Sequence, residues 1–132
     1  MVDMRIELIF VPVSDIDRAR DFYANIGWNV DFDQSPTDEI RFVQITPPGS
    51  ACSIAFGRGL MEGEPGSLRG VQLVIRDADA ALTMLREKGV DAEGVQEMAW
   101  GRFVTFRDPD GNTFTLQELP EWSAGFANRP AE

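Results

Sequence analysis

The sequence predicts an α+β fold. Two tandem βαβββ modules form a curved, partly barrel-like pair of mixed sheets around a concave cavity. The first observation behind this is an internal repeat. Shifted by 62 positions, the chain lands on itself without a gap: Asp15 meets Asp77, Asp17 meets Asp79, Ala19 meets Ala81, Gly27 meets Gly89, Pro47 meets Pro109 and Gly49 meets Gly111. The second is that these identities fall where helices begin, helices end and the chain turns. The third is geometric: a four-stranded sheet with one helix has one bare face, so two such sheets must associate, within a chain or between chains.

The elements follow in order. Ile6–Val13 is rich in apolar and β-branched residues and reads as a strand. Ser14-Asp15 supplies the cap of a helix, and Asp15 and Asp17 put negative charge at its positive end. Ile16, Ala19, Phe22, Tyr23 and Ile26 recur at helical spacing, and Gly27 stops the helix. Three extended segments follow, at about Trp28–Phe32, Ile40–Thr46 and Ala51–Phe56. The second copy repeats this: strand Leu73–Ile75, a helix from Asp77 to Gly89, then segments at about Val90–Gln96, Arg102–Phe106 and Thr113–Leu119. The last pair in each copy is joined by a tight turn, Pro47-Pro48-Gly49-Ser50 or Asp108-Pro109-Asp110-Gly111-Asn112. The modules thus span about 5–57 and 69–119, with a glycine-rich linker at about 58–68 and a tail at 120–132, whose Trp122 and Phe126 point to docking.

Composition narrows the function. At 132 residues and 43% apolar content, the chain fits one compact domain with a real core. No apolar run approaches a bilayer span, and Asp3, Arg5 and Glu7 interrupt anything resembling a signal peptide. A cytoplasmic address is expected, with Cys52 as a small buried hydrophobe. A net charge of −10 repels nucleic acid and favours solubility. The chain has no histidine, which removes the Ser-His-Asp triad, a His general base and His-ligated metals. A single Cys removes thiolate zinc and iron–sulfur sites.

Val13-Ser14-Asp15-Ile16-Asp17-Arg18-Ala19, then Asp21-Phe22-Tyr23 and Ile26-Gly27-Trp28, resembles the opening of the vicinal oxygen chelate superfamily. That group holds glyoxalase I, the bleomycin-resistance proteins and the extradiol dioxygenases. Arg76-Asp77-Ala78-Asp79-Ala80-Ala81 repeats the pattern, and Phe106-Arg107-Asp108-Pro109-Asp110-Gly111-Asn112 is the most specific match. The resemblance covers about residues 5–119. It implies a cavity in which the superfamily's enzymes hold a divalent metal, with ligands from the first strand (often His or Gln) and last strand (often Glu) of each copy. The matching positions here are Leu8 and Gly70 in the first strands, and Ser53 and Thr115 in the last. None is a strong ligand. A shift of one residue would bring Glu7 into play, but one carboxylate does not make a metal site. No metal and no cofactor are therefore expected.

Period-two alternation puts Phe10 and Gln72 on the same side as Leu8 and Gly70, and Gln117 on the same side as Thr115. The expected ligand site is then Leu8, Phe10, Ser53, Gly70, Gln72, Thr115 and Gln117, with Trp100 at the rim. Glu118, of opposite parity, is expected to face a helix, Trp28 to join the core, and Arg41 and Arg102 to form ion pairs. The resemblance implies a homodimer that sequesters a small molecule, an antibiotic or a metabolite, as in the metal-free bleomycin-resistance branch. The alternative is a metal-independent isomerase, lyase or epimerase, with Glu7, Tyr23, Asp33, Glu39 and Glu97 as candidate acids or bases and no partnered pair among them. A third possibility is a cavity without selected chemistry, kept for partner recognition.

Overall fold

The structure is a computed structural model and describes residues 1–120. Trp122 and Phe126 lie outside the described residues. The chain divides into two compact units, one over Met1–Pro65 and one from Gly66 on. The first holds β1 (Leu8–Phe10), α1 (Ile16–Asn25), β2 (Asn29–Gln34), β3 (Arg41–Thr46) and β4 (Ser53–Arg58). The second holds β5 (Val71–Ile75), α2 (Ala78–Glu87), β6 (Asp91–Met98), β7 (Gly101–Arg107) and β8 (Thr113–Glu118). Each is a four-stranded mixed sheet, in the order β1-β4-β3-β2 or β5-β8-β7-β6. The first strand runs parallel to the last, and the other pairs are antiparallel. Among the described residues, no helix is long and apolar enough to cross a membrane.

Both helices start on the expected caps. The Arg18 amide donates to Asp15 Oδ1 and the Ala80 amide to Asp77 Oδ1, each at 3.0 Å. An arginine on the third strand then ties each helix start to its sheet. Arg41 Nη2 lies 2.8 Å from Asp17 and Arg102 Nη1 lies 2.9 Å from Asp79, so the expected ion pairs form.

The helix-facing sides of the sheets carry the core. In the first unit, Tyr23 stacks on Trp28 at 5.2 Å and meets Phe56 at 6.0 Å between ring centroids. Val43, Ile45 and Ile54 are buried on the same side. In the second, Phe106 stacks on Phe114 at 5.3 Å, with Val104, Leu116, Leu82 and Leu85 buried around them. Glu118 faces the helix as expected: its Oε1 accepts the Ala78 amide at 2.9 Å.

Two expectations need correction. The strand read as Ile6–Val13 shortens to Leu8–Phe10. Glu7 O accepts the amide of Ser53, the first residue of β4, and Pro12 has no amide to donate. The repeat is also not gap-free. Leu8 lies opposite Ser53, whereas Thr115 lies opposite Gln72 and not Gly70, a slip of two residues at the last strand. Gly70 itself precedes β5 at φ +79°, outside the pleat.

The turn between β7 and β8 fixes the second unit's corner. Asp108 Oδ1 accepts the amides of Asp110 (3.0 Å) and Asn112 (2.9 Å), while Asn112 Oδ1 accepts the Leu68 amide (3.0 Å). Gly111 sits inside this net at φ +97°. A Cβ there meets only Gly66 O, at 4.0 Å, so the cost of adding one is backbone strain, on the order of 1–2 kcal/mol and more for a β-branched residue. Gly111→Val is expected to lower the melting temperature by several degrees, well beyond a surface substitution. Calorimetry on the two proteins checks this, and an unchanged transition would reject the turn assignment.

Candidate functional site

With Val43, Ile45, Ile54 and Phe56 turned to α1, the alternate residues of the first unit face the other way. These include Leu8 and Phe10 on β1, Phe42, Gln44 and Thr46 on β3, and Ser53 on β4. A chain of polar side chains crosses this face. Gln44 Nε2 donates to Ser53 Oγ at 3.2 Å, and Ser53 Oγ lies 2.6 Å from Thr46 Oγ1. Thr46 in turn donates to Asp31 Oδ2, and Asn29 Nδ2 donates to Asp31 Oδ1 at 2.7 Å. Asp31 reaches Thr46 because it is the extra residue of a bulge in β2, between Val30 and Phe32. Phe32 lies opposite Gln44 and is half exposed.

The corresponding face of the second unit is built differently. Gln72 is exposed and Thr115 and Gln117 are half-buried, while Phe114 and Leu116 between them turn to α2. Gln72 Nε2 donates to Gln117 Oε1 at 2.6 Å, and Gln117 Nε2 donates to the Trp100 carbonyl at 2.8 Å. Gly101 makes that reach possible. At its φ of +148°, a Cβ would stand 2.6 Å from Glu118 O and 3.3 Å from Gln117 Nε2. The Trp100 ring is 54% exposed in the turn between β6 and β7.

The expected residues therefore separate. Leu8, Phe10 and Ser53 share the first unit's face, and Gln72, Thr115 and Gln117 share the second's, with Trp100 joined to them by its carbonyl. Gly70 is not in the strand. Asp31, Phe32, Gln44 and Thr46 were missed. The β3 pair was legible from parity once Ser53 was placed, but no sequence signal marks the bulge that brings in Asp31. A small cleft of about 120 Å³ opens beside Phe10, between Val11, Phe56, Leu60 and Met61.

The residues at the superfamily's metal positions do not fit a metal. Leu8 and Gly70 bring no donor, the Ser53 hydroxyl is already bonded to Gln44 and Thr46, and Thr115 brings a neutral hydroxyl. Among the described residues, no three His, Cys, Asp or Glu side chains cluster for a metal.

The candidate acids and bases are placed unfavourably. Tyr23 is fully buried among Trp28 and Phe56. Glu97 is tied to Arg102 at 3.1 Å, and Glu7 and Glu39 are exposed. Asp33 accepts from both Arg41 (2.9 Å) and Arg20 (2.7 Å) on the helix side of the sheet. Arg41, then Arg20, holds its carboxyl down at about 2, against the opposing effect of burial. It is no base near neutral pH. The Cys52 thiol is half-buried, donates to Ser53 O at 3.6 Å, and is pushed up by burial and by Glu7.

Two βαβββ units, each carrying polar side chains on the sheet face opposite its helix, define the glyoxalase-like class of fold. Residues 5–116 match the Glyoxalase/Bleomycin resistance protein/Dioxygenase superfamily, and the chain belongs to it. It is similar to TnmS3, an antibiotic binding protein from Streptomyces sp. CB03234, at 37% identity over 91% of this chain and 99% of that one, with a TM-score of 0.82. A superfamily member from Sphaerobacter thermophilus DSM 20745 is 36% identical over 87% and 97% of the two chains, with a TM-score of 0.78. Among curated proteins, the uncharacterised YetH of Bacillus subtilis (strain 168) is 26% identical over 117 residues, 86% of this chain and 98% of YetH.

The Asp33 ion pairs make a pH prediction. A carboxylate held at about 2, below its unfolded value near 3.9, contributes stability above that unfolded value and loses it as pH falls toward 2. Its side chain is 26% exposed, so solvent screening reduces the contribution to roughly 1 kcal/mol. Asp33→Asn is expected to lower stability at pH 7 by about that much and to converge with the parent near pH 2. Urea unfolding at the two pH values checks it, and an equal loss at both would show that charge is not the cause.

Proposed function

We propose that this chain binds a small organic molecule, an antibiotic or metabolite, without a metal, and sequesters it. The observation that carries the proposal is an exchange of chemistry at one set of positions. Where the superfamily's enzymes place His, Gln and Glu, this chain has Leu8, Gly70, Ser53 and Thr115, and the same sheet faces carry neutral amides, hydroxyls and aromatic rings. Such a lining suits a largely apolar molecule with a few polar handles. In the first unit the ligand residues are Leu8, Phe10 and Ser53, with Gln44 and Phe32 beside them. In the second they are Gln72, Thr115, Gln117 and Trp100, with Gly70 at the entry to β5. The similarity to an antibiotic binding protein supports the same reading.

A cytoplasmic address agrees with the lone free thiol, and the net charge of −10 argues against nucleic-acid partners. The same reading makes the protein a homodimer. Val2, Met4 and Ile6 precede β1, an edge strand among the described residues, and are largely exposed, apolar surface that a second copy would cover.

Tryptophan fluorescence titrations with bleomycin, doxorubicin and chloramphenicol test the function. At least one is expected to saturate at one molecule per chain, at micromolar concentration or below, with no change on adding EDTA. Failure of all three counts against sequestration, and loss of binding with EDTA overturns the metal-free reading. Light scattering is expected to give twice 14.7 kDa per particle, and 14.7 kDa at all concentrations would reject the dimer.

A further inference from the structure

We infer that the first unit holds a subsite of limited size for one end of the bound molecule. An uncharged hydrocarbon group, a single ring or a chain of about four to six carbons, enters the cleft beside Phe10. The inference rests on the binding role proposed above and adds which part of the ligand goes where.

The cleft opens where the first strand leaves the last. The Ser53 amide donates to Glu7 O and the Val11 amide to Ala55 O, each at 2.9 Å, and among the described residues the ladder ends there. Val11, Pro12 and Val13 then form one wall, and Phe56 and Gly57 form the other. The chain leaving β4 closes the end, with Leu60, Met61, Glu62 and Gly63 on the cleft. Glycine permits this close approach at two points. A Cβ at Gly57 would collide with Arg41 O and stand 2.9 Å from Leu60 Cδ1, and one at Gly63 would stand 3.3 Å from Pro12 Cβ.

Phe10 connects the cleft to the ligand face of the same unit. It lines the cleft, and it shares the sheet face that carries Leu8, Ser53 and Gln44: Phe10 lies opposite Ala55, and Ala55 lies opposite Gln44. A molecule lying on that face reaches the cleft past Phe10 without crossing the sheet.

Volume and lining set what fits. About 120 Å³ is somewhat less than the roughly 150 Å³ of an apolar cavity that takes benzene, so one ring or a short chain fills it. The side chains of Phe10, Val11, Phe56, Leu60 and Met61 are hydrocarbon or thioether and offer such a group van der Waals contact. Glu62 is the one charged side chain on the cleft among the described residues, so a carboxylate end-group meets repulsion there.

A series of 4-n-alkylphenols, from ethyl to octyl, titrated calorimetrically into the full chain tests this. Affinity is expected to rise about two- to fourfold per methylene as far as butyl or pentyl, and then to level off. Leu60→Ala enlarges the cleft and is expected to move the plateau to longer chains. Met61→Trp fills it and is expected to move the plateau to shorter ones; Met61 is 66% exposed, so this change leaves the core intact. In the unaltered chain carrying carbon-13 methionine methyl groups, the Met61 signal, assigned through Met61→Leu, is expected to shift on adding 4-butylphenol. If affinity climbs without a plateau, or both variants keep the same plateau, or the Met61 signal stays in place, the inference is overturned and small-molecule binding stands. If no alkylphenol binds, the inference falls, while the drug titrations above decide the binding role on their own.

Discussion

A helix packed on one face of a four-stranded sheet forces each strand to alternate, and the site chemistry follows from that alternation. On β8, Phe114 and Leu116 are buried toward α2, so Thr115 and Gln117 have no choice of side. On β3, Val43 and Ile45 pack toward α1, so Gln44 and Thr46 must face away from it. A one-residue slip on either strand would bury amides against the helix and expose the core, at several kcal/mol. The packing of one face therefore specifies the chemistry of the other.

The arginines belong to the packing side of this division. Arg41 binds Asp17 and Asp33, and Arg102 binds Asp79 and Glu97. Partly exposed pairs of this kind contribute little stability each, about 0–1 kcal/mol, but they hold each helix start over its third strand. The same contacts leave Arg41 and Arg102 committed, so a chain of net charge −10 does not turn them toward an anionic ligand.

What the sequence revealed and concealed divides along the same line. Capping Asp15 and Asp77, the helix-stop glycines and the Asp108–Asn112 turn are local signals, because each is set by bonds within a few residues. Parity carried Gln72 and Gln117 to one face and Glu118 to the other, because pleating is a counting rule. Register is not local. The two-residue slip at β8 depends on how a hairpin closes, and it removes Gly70 from the place opposite Thr115. The bulge that carries Asp31 to Thr46 is likewise a property of two paired strands. A string of residues does not show that a backbone carbonyl, that of Trp100, holds Gln117.

Comparing the two copies shows where the duplication was constrained. On the helix side they agree in kind: Ile9 and Val71 lie in the first strands, Val43 and Val104 sit beneath the helices, and Arg41 and Arg102 bind Asp17 and Asp79. On the other face they part. Leu8 and Phe10 are hydrocarbon where Gly70 and Gln72 are not, and a carboxylate anchors one polar chain while a main-chain carbonyl anchors the other. A structural face would be expected to keep its packing in both copies, since each must cover the same helix. The faces that differ carry no such requirement, so their residues are free to diverge while the helix side is held.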